Sequence, residues 1–423
     1  MGEIQIPFGV ISSAAADLAD PENDLVNYFL SIDTQAIATV VEKAFGTRGP
    51  KGYGVSLVLS RILKVKQVFI SDRILAQRLK EVATYRRLCG FSGGKVPAHN
   101  TYSTLRKRLG IRGYAEIHAN FVRHAHALDL LDPKLPMLPK NRQKGLIVVA
   151  DSTTIRAYCS TSGKKQADGT WLFTDPSVTF GRPHHRDKFP IGHKAHSLMT
   201  ITGVPLVSKI SPRNATDQDY LFPLLDEFRE RFPEIKIAYI VLDRGYDAEP
   251  IHQKLYEDYE IIPVIIRKKT AYPKGFAPDG IPLCIWGQRM KRTGIDYRRK
   301  RSRYACKKVC QRAEQMTFEC PYLKNSFPNG LIYYTRFKDS YRKYGPAIPG
   351  STIYKKLKPM RTAIERNYGL VKENRYRMEH TNTYMGVDNV LMHVIEHDIS
   401  LTLDIIFMFK RYEKISPLLK LNY

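Results

Sequence analysis

The chain is short of cysteine, of acidic residues and of long hydrophobic runs. Six cysteines in 423 residues do not make the disulfide framework of a small secreted domain. The most apolar C-terminal run, DISLTLDIIFMFKRYEK, carries Asp398 and Asp404 and is too short to span a bilayer, so we expect a packed helix. The N-terminal residues lack the basic and apolar segments of a signal peptide. We therefore expect a cytoplasmic protein with no membrane partner.

The scarcity of acids leaves the chain strongly basic. It contains 41 Asp and Glu residues and 67 Lys and Arg residues, which give a net charge of +26. Such an excess attracts polyanions, because Lys and Arg neutralise phosphates and release counterions. The charge favours a nucleic-acid partner, and a ribosome-associated or merely basic protein is the alternative. A hydrophobic content of 43% excludes a disordered chain, and the length allows two or three domains.

Helical periodicity dominates the N-terminal part. We expect helices in DLVNYFLSIDTQAIATVVEKAF, in GVSLVLSRILKVKQVF and in ISDRILAQRLKEVATYRRLCGF, the last capped by Ser71 or Asp72 and ended by Gly90. A short basic helix, TYSTLRKRLG, follows a loop and has Asn100 or Thr101 as its expected cap. Two helices joined by a turn, the second one basic, are typical of a helix-turn-helix DNA-binding module. A plain helical bundle is the alternative.

Strand patterns follow a Pro- and Lys-rich linker. LIVVA, IAYIVLD and EIIPVIIRK predict buried strands, HSLMTITG and VPLVSKIS predict an antiparallel pair, and DQDYLFPLLDEFRERF and AEPIHQKLYEDY predict helices. This order indicates a mixed α/β sheet with helices on its faces. We divide the chain into a helical domain, a linker, a first part of the α/β core, a basic insertion subdomain and C-terminal helices, at 1–125, 126–144, 145–269, 270–350 and 351–423.

Two of these strand patterns end in an aspartate. LIVVA is followed by Asp151, and IAYIVLD ends at Asp243. Ligand sites of open α/β sheets lie at the carboxyl ends of strands, so neighbouring strands can bring two such aspartates together. Close carboxylates repel unless a cation lies between them, and oxygen-only ligands favour Mg²⁺ or Mn²⁺. The alternative is that each aspartate caps a turn or the next helix.

A third carboxylate stands in the segment RTAIERNYGLVKENR. If this segment is an α-helix, its period places Arg361, Glu365, Tyr368, Lys372 and Arg375 on one stripe beside an apolar seam. An ion pair between Arg361 and Glu365 contributes only about a few tenths of a kcal/mol, which does not explain the arrangement. Bases beside a metal-binding acid have a second use, because they hold phosphates. The alternative is a solvated, ion-paired helix face.

Three stretches together resemble a known family. VVADSTTIRAY, IVLDRGYD and the helix around Glu365 resemble the DDE transposases of bacterial insertion sequences. In that family the helix with the glutamate carries Tyr, two residues, Arg, three residues, Glu, six residues and Lys. Arg361, Glu365 and Lys372 match this spacing, whereas Lys358 stands in place of the tyrosine. Similar stretches extend over most of residues 25–270 and 350–400, including GHKAHSLMTITGVPLVSKISPRNATDQD.

The resemblance implies a fold and an activity. The fold would be a ribonuclease-H-like mixed sheet flanked by helices, with a helical N-terminal domain and a basic, Cys-containing insertion before the last catalytic helix. Asp151, Asp243 and Glu365 would hold two Mg²⁺ or Mn²⁺ ions for cleavage and strand transfer of transposon DNA. The partners would be double-stranded DNA, as transposon ends and target, and a second copy of the chain in a homodimer. Such a bacterial protein would be nucleoid-associated through its DNA. The alternatives are a Mg²⁺-dependent nuclease of the same fold and a catalytically inactive DNA-binding derivative.

Basic side chains outside this trio are the expected DNA contacts. Lys372 would reach a phosphate as a point charge, and Arg361 could hold one with two hydrogen bonds. The run RRKRSR, flanked by tyrosines, suits phosphate contact and base stacking, with a solvated loop as the alternative. The full set of expected DNA contacts is Arg361, Lys372, Arg375, His193, Lys194, Arg298, Arg299, Arg301 and Arg303.

Four cysteines lie close together in the basic insertion. Cys306, Cys310 and Cys320 stand in CKKVCQRAEQMTFEC, and Cys284 lies upstream. Four thiolates can hold a structural Zn²⁺ in tetrahedral geometry. The spacing is not the paired pattern of a zinc ribbon, and isolated buried thiols are the alternative.

Overall fold

The chain folds into two compact units. The computed structural model describes residues 24–45, 53–91, 94–132, 144–181, 191–268, 271–306, 320–323 and 329–412. The first unit consists of the chain up to Pro133, Asp151–Glu234 and the chain from Ala363 onward. The second unit consists of Lys134–Ala150 and Ile235–Thr362. The five-part division made from the sequence remains a prediction.

The N-terminal part is helical, as predicted. Its helices are α1 (Asp24–Leu30), α2 (Gln35–Phe45), α3 (Gly54–Lys66), α4 (Asp72–Glu81), α5 (Ala83–Leu88) and α6 (His99–Ala127). The Ser71 hydroxyl accepts the backbone N–H of Ile74 at 3.2 Å and caps α4, which confirms that predicted start. Gly90 follows α5 with φ of +74°, a conformation that glycine adopts without strain.

Helix α6 differs from the short basic helix that the sequence predicts. It begins two residues earlier, at His99, with Ala98 in the capping position, so the predicted caps Asn100 and Thr101 are wrong and lie within the first turn. It also continues past Gly110, where φ of +58° interrupts the helical geometry. Apolar side chains on both sides of that kink pack into one core, and this packing carries the helix beyond its glycine.

One long helix near the C-terminus completes the helical core. This helix is α13 (Val387–Tyr412). Four shorter helices precede it in the chain: α9 (Tyr341–Tyr344), α10 (Thr352–Leu357), α11 (Thr362–Tyr368) and α12 (Met378–Thr381). Its Ile395, Ile399 and Leu403 share one hydrophobic cluster with α1 to α6. This packing is that of a helical bundle, and the helix-turn-helix alternative stays a prediction. Within the described residues, no helix is both long and apolar enough to cross a bilayer.

The central sheet is mixed and flanked by helices, as the sequence predicts. Its strands are β1 (Leu146–Arg156), β4 (Thr179–Phe180), β5 (Ile191–Thr200), β6 (Pro205–Pro212), β7 (Ile237–Leu242) and β8 (Ile262–Ile265), and the pair β2 (Lys164–Lys165) and β3 (Trp171–Leu172) lies apart. The order is β4-β5-β1-β7-β8, with β6 on β5. In the first unit β5 and β6 form the predicted antiparallel pair, and α7 (Asp217–Arg231) follows.

The second unit contains the parallel strands and the insertion. The first half of β1 pairs with β7, and β7 pairs with β8, both in parallel. Helix α8 (Glu249–Glu257) connects β7 to β8, so the predicted strand-helix-strand unit is confirmed. The insertion forms a separate antiparallel sheet of β9 (Lys291–Asp296), β10 (Arg301–Ala305) and β11 (Ile332–Arg336), in the order β11-β10-β9.

Candidate active site

Asp151 lies inside strand β1 and not at its end. The prediction that the strand ends there is wrong, because β1 continues through Arg156. Main-chain contact with β5 extends it: the N–H of Ala157 donates to the carbonyl of Ile191 at 3.3 Å. Asp151 is half-buried, and its Oδ1 accepts the N–H of Ser152 at 2.8 Å. Asp151 therefore lies on a stretch of backbone that is part of strand β1, and its carboxylate accepts a local hydrogen bond.

Asp243 directly follows the last residue of strand β7, as predicted. Its Oδ1 accepts the N–H of Gly245 at 2.7 Å, which caps the 3₁₀ turn Arg244–Tyr246. One carboxylate oxygen of Asp243 therefore caps the turn, as the turn-capping alternative predicts. The side chain is half-buried, so its carboxylate also faces solvent. Capping and ligand binding are compatible, because a carboxylate has two oxygens.

A buried carboxylate, whose role the sequence does not reveal, anchors this turn. Asp247 accepts two hydrogen bonds from Arg342, at 3.0 and 2.8 Å, one from Arg267 at 3.2 Å and one from His252 at 3.1 Å. Burial alone would raise the pKa of Asp247, but these hydrogen bonds hold that pKa well below its usual value. Burial in turn lowers the pKa of His252 to about 4. The ionised carboxylate of Asp247 therefore connects the turn after Asp243 to Arg342 of the insertion.

The segment with Glu365 is helical but irregular. A 3₁₀ turn (Lys358–Arg361) leads into α11, and a π-helical stretch (Gly369–Asn374) follows it. Glu365 lies exposed in α11. The predicted single stripe from Arg361 to Arg375 assumed a regular α-helix and is wrong, because the period changes on both sides of α11. Single π turns occur frequently at functional sites, where they redirect side chains.

Tyr368 joins the end of α11 to strand β1. Its hydroxyl donates to the backbone carbonyl of Asp151 at 2.8 Å. Burial, and next the charge of Asp151, raise the pKa of this hydroxyl well above its usual value, so it remains a donor. Glu365 precedes Tyr368 by one helical turn. Two of the three predicted acids therefore lie on elements that a direct hydrogen bond connects, which the sequence does not reveal.

Lys372 and Arg375 point to partners within the same unit. The Lys372 ammonium lies 3.2 Å from the hydroxyl of Thr154 and 3.5 Å from the carboxylate of Glu379. Arg375 is exposed and pairs with Asp404 at 3.1 Å. Lys372 therefore lies beside the part of β1 that follows Asp151, and both side chains stay predicted DNA contacts.

His193 and Lys194 also have partners in the fold. His193 is fully buried, its Nε2 lies 2.9 Å from the hydroxyl of Ser177, and burial lowers its pKa. The Lys194 ammonium contacts Asp217 at 3.0 Å, and the Ser152 hydroxyl donates to the same carboxylate at 2.8 Å. These contacts fit the structural alternative for His193, and direct DNA contact by either residue remains a prediction.

The basic run of the insertion forms the turn between β9 and β10. Arg298 and Arg299 are exposed in that turn. Arg301 lies over the ring of Tyr334 at 4.3 Å and faces Asp296 at 3.4 Å. The neighbouring expected contact, Arg303, pairs in register with Tyr334 of β11, and Tyr297 beside the turn is also exposed. A surface of guanidinium groups and exposed rings suits phosphate contact and stacking.

The cysteines of the insertion are only partly described. Cys310 lies outside the described residues. Cys306 and Cys284 pack in one apolar cluster, the thiol of Cys306 accepts the N–H of Leu331 at 3.1 Å, and Cys320 is buried. These contacts match the alternative of separate buried thiols, and a zinc site stays a prediction. Across the described ranges, no three His, Cys, Asp or Glu side chains are grouped so that they could hold a metal ion.

Comparison with known families matches most of this chain. Residues 142–394 match the family described as Transposase DDE domain. Residues 14–108 match the family described as Transposase domain (DUF772). No curated protein matches the chain. The first match covers more than half of the sequence and includes Asp151, Asp243 and Glu365.

Proposed function

Since the chain belongs to the family of transposases with a DDE domain, we propose that it cleaves and joins transposon DNA through Asp151, Asp243 and Glu365. The observation that carries this proposal is the hydrogen bond from Tyr368 to the carbonyl of Asp151. It ties the helix with Glu365 to the strand with Asp151. Family membership implies DNA binding and phosphoryl transfer on DNA, and the residues and ions that do this here are our proposal.

Strand register supports equivalent roles for Asp151 and Asp243. In the second unit β1 and β7 are parallel neighbours, and Val149 pairs with Val241. Asp151 follows Val149 by two residues, and Asp243 follows Val241 by two residues. The two aspartates thus stand at equivalent positions after paired residues of these strands. We therefore propose that they serve the same reaction.

The donor set fits hard divalent cations. DDE transposases generally use divalent metals. Asp151 and Asp243 are half-buried and Glu365 is exposed, so each carboxylate reaches solvent and offers only oxygen atoms. When bound, two Mg²⁺ or Mn²⁺ ions would make the attacking hydroxyl more nucleophilic and stabilise the leaving oxygen. The three carboxylates would hold these ions, and the hydrogen bonds to Asp151 and Asp243 fix the backbone that carries two of them.

The basic residues would hold the DNA around this site. Lys372 contacts Thr154, three residues beyond Asp151 on the same strand. We propose Arg361, Arg375, Lys194 and His193 as further contacts. The arginines of the β9–β10 turn supply a second positive surface in the insertion. Removing one phosphate contact should lower the salt dependence of DNA binding by about one counterion.

Plasmid cleavage tests the proposed acids. Asp151→Asn and Glu365→Gln should each abolish nicking of supercoiled plasmid in Mg²⁺ or Mn²⁺ while DNA binding persists, because a neutral amide is a poor metal ligand. Glu373→Gln is the matched control, since Glu373 is an exposed glutamate of the same segment. Full nicking by either acid variant would refute the assignment. Strand-transfer products would distinguish a transposase from a nuclease, and binding without cleavage by the unaltered protein would identify an inactive derivative.

A further inference from the structure

Tyr368 joins helix α11 to the strand that carries Asp151. Its hydroxyl donates to the backbone carbonyl of Asp151 at 2.8 Å. Both residues belong to the first unit. Tyr368 is therefore a direct link between α11 and the backbone of a proposed metal ligand.

We propose that Tyr368 is a positioning residue that fixes Asp151 through its backbone carbonyl. This inference rests on the proposed function of Asp151. The carbonyl is held by Tyr368, and the side chain is held by the N–H of Ser152. Two restraints on one residue leave its carboxylate little freedom, and a loosely held ligand costs catalytic sites affinity and rate.

The test compares two tyrosines of the same segment. Tyr368→Phe removes the hydroxyl that contacts Asp151, and Tyr376→Phe removes another buried hydroxyl, which contacts Asp404 and the carbonyl of Ser400. Because partners that orient a metal ligand affect metal affinity or activity by about 10–100-fold, Tyr368→Phe should weaken Mn²⁺ binding and slow plasmid nicking by at least about tenfold. Its DNA affinity and thermal midpoint should match those of Tyr376→Phe.

Mn²⁺ binding, followed by electron paramagnetic resonance, separates the inference from the proposed function. If the unaltered protein nicks plasmid and Tyr368→Phe binds Mn²⁺ and nicks plasmid equally well, the inference is overturned and the function stands. If the unaltered protein never nicks plasmid but Tyr368→Phe weakens Mn²⁺ binding and Tyr376→Phe does not, the function fails and the positioning role stands. If Tyr376→Phe weakens Mn²⁺ binding as much as Tyr368→Phe does, the specific role of Tyr368 is overturned.

Discussion

Replacing Asp398 by Asn should change how the stability of this protein depends on pH. Asp398 is 7% exposed, lies on α13 and contacts Ser208 of β6. Its carboxyl has a pKa of about 7 in the folded protein, chiefly because burial disfavours the charged form, whereas an unburied aspartate has a pKa of 3.8. Between these two values the folded state holds a proton that the unfolded state has released. An asparagine keeps the shape and the hydrogen-bonding capacity but does not titrate.

The sign and the size of the effect follow from linkage. A carboxyl whose folded pKa is raised contributes most below its unfolded pKa, and that contribution is lost as pH rises through the folded pKa. Over this window the free energy of unfolding falls by about 1.4 kcal/mol per pH unit. Between about pH 5 and about pH 7 the native protein should therefore lose about 2 kcal/mol relative to Asp398→Asn. Above neutral pH the difference should become constant.

Urea unfolding of the two proteins, followed by circular dichroism between about pH 5 and about pH 8, measures this difference. Two histidines also affect stability in this range. Burial lowers the pKa values of His196 and His397 to about 4, so the free energy of unfolding falls as the pH drops below the usual histidine pKa. Their effect is common to both proteins and cancels in the comparison. Parallel stability profiles, or a native profile that rises relative to the variant with pH, would refute a buried, protonated Asp398.

Three other substitutions test parts of the fold and the site. Glu396→Gln should destabilise the first unit by about 3–5 kcal/mol, measured by urea unfolding, because it removes the buried countercharge that Arg61 and Arg106 share. Gly192→Ala should lower the yield of folded protein and cost at least about 2 kcal/mol in unfolding free energy, since φ is +153° and a Cβ would lie 2.1 Å from the carbonyl of Ile155. Asp247→Asn should lower plasmid nicking more than DNA affinity, as it loosens the turn after β7, and equal nicking would contradict that role.

The elements that the sequence predicts are those with a strong local pattern. The β5–β6 pair, α7, β7 and α8 each form from a run whose apolar spacing matches its own period, and tertiary contacts only confirm them. The second half of β1 has no such signal, because STTIR is polar and half-buried. Its extended conformation comes from pairing with β5, which is distant in sequence. The predicted strand end at Asp151 fails for this reason.

The candidate site shows the same limit more sharply. The three candidate acids are predicted from motif spacing, because residue types and intervals can be read directly from the sequence. The irregular helix around Glu365 cannot be predicted in this way. The argument from helical periodicity assumes a regular α-helix, whereas 3₁₀ and π turns flank α11. Tyr368 illustrates the difference: the sequence placed it on a stripe, while its hydrogen bond to Asp151 depends on a contact across more than two hundred residues.

Two acids of the long C-terminal helix show why charge states escape sequence reasoning. Glu396 and Asp398 are two positions apart, so they face about opposite sides of α13. Burial would raise the pKa of both, but Arg61 and Arg106 lie against Glu396 and bring its pKa down to about 2. Asp398 instead accepts a hydrogen bond from the Ser208 hydroxyl and has a pKa of about 7. The packing of α13 therefore gives two acids of one short segment opposite pKa shifts.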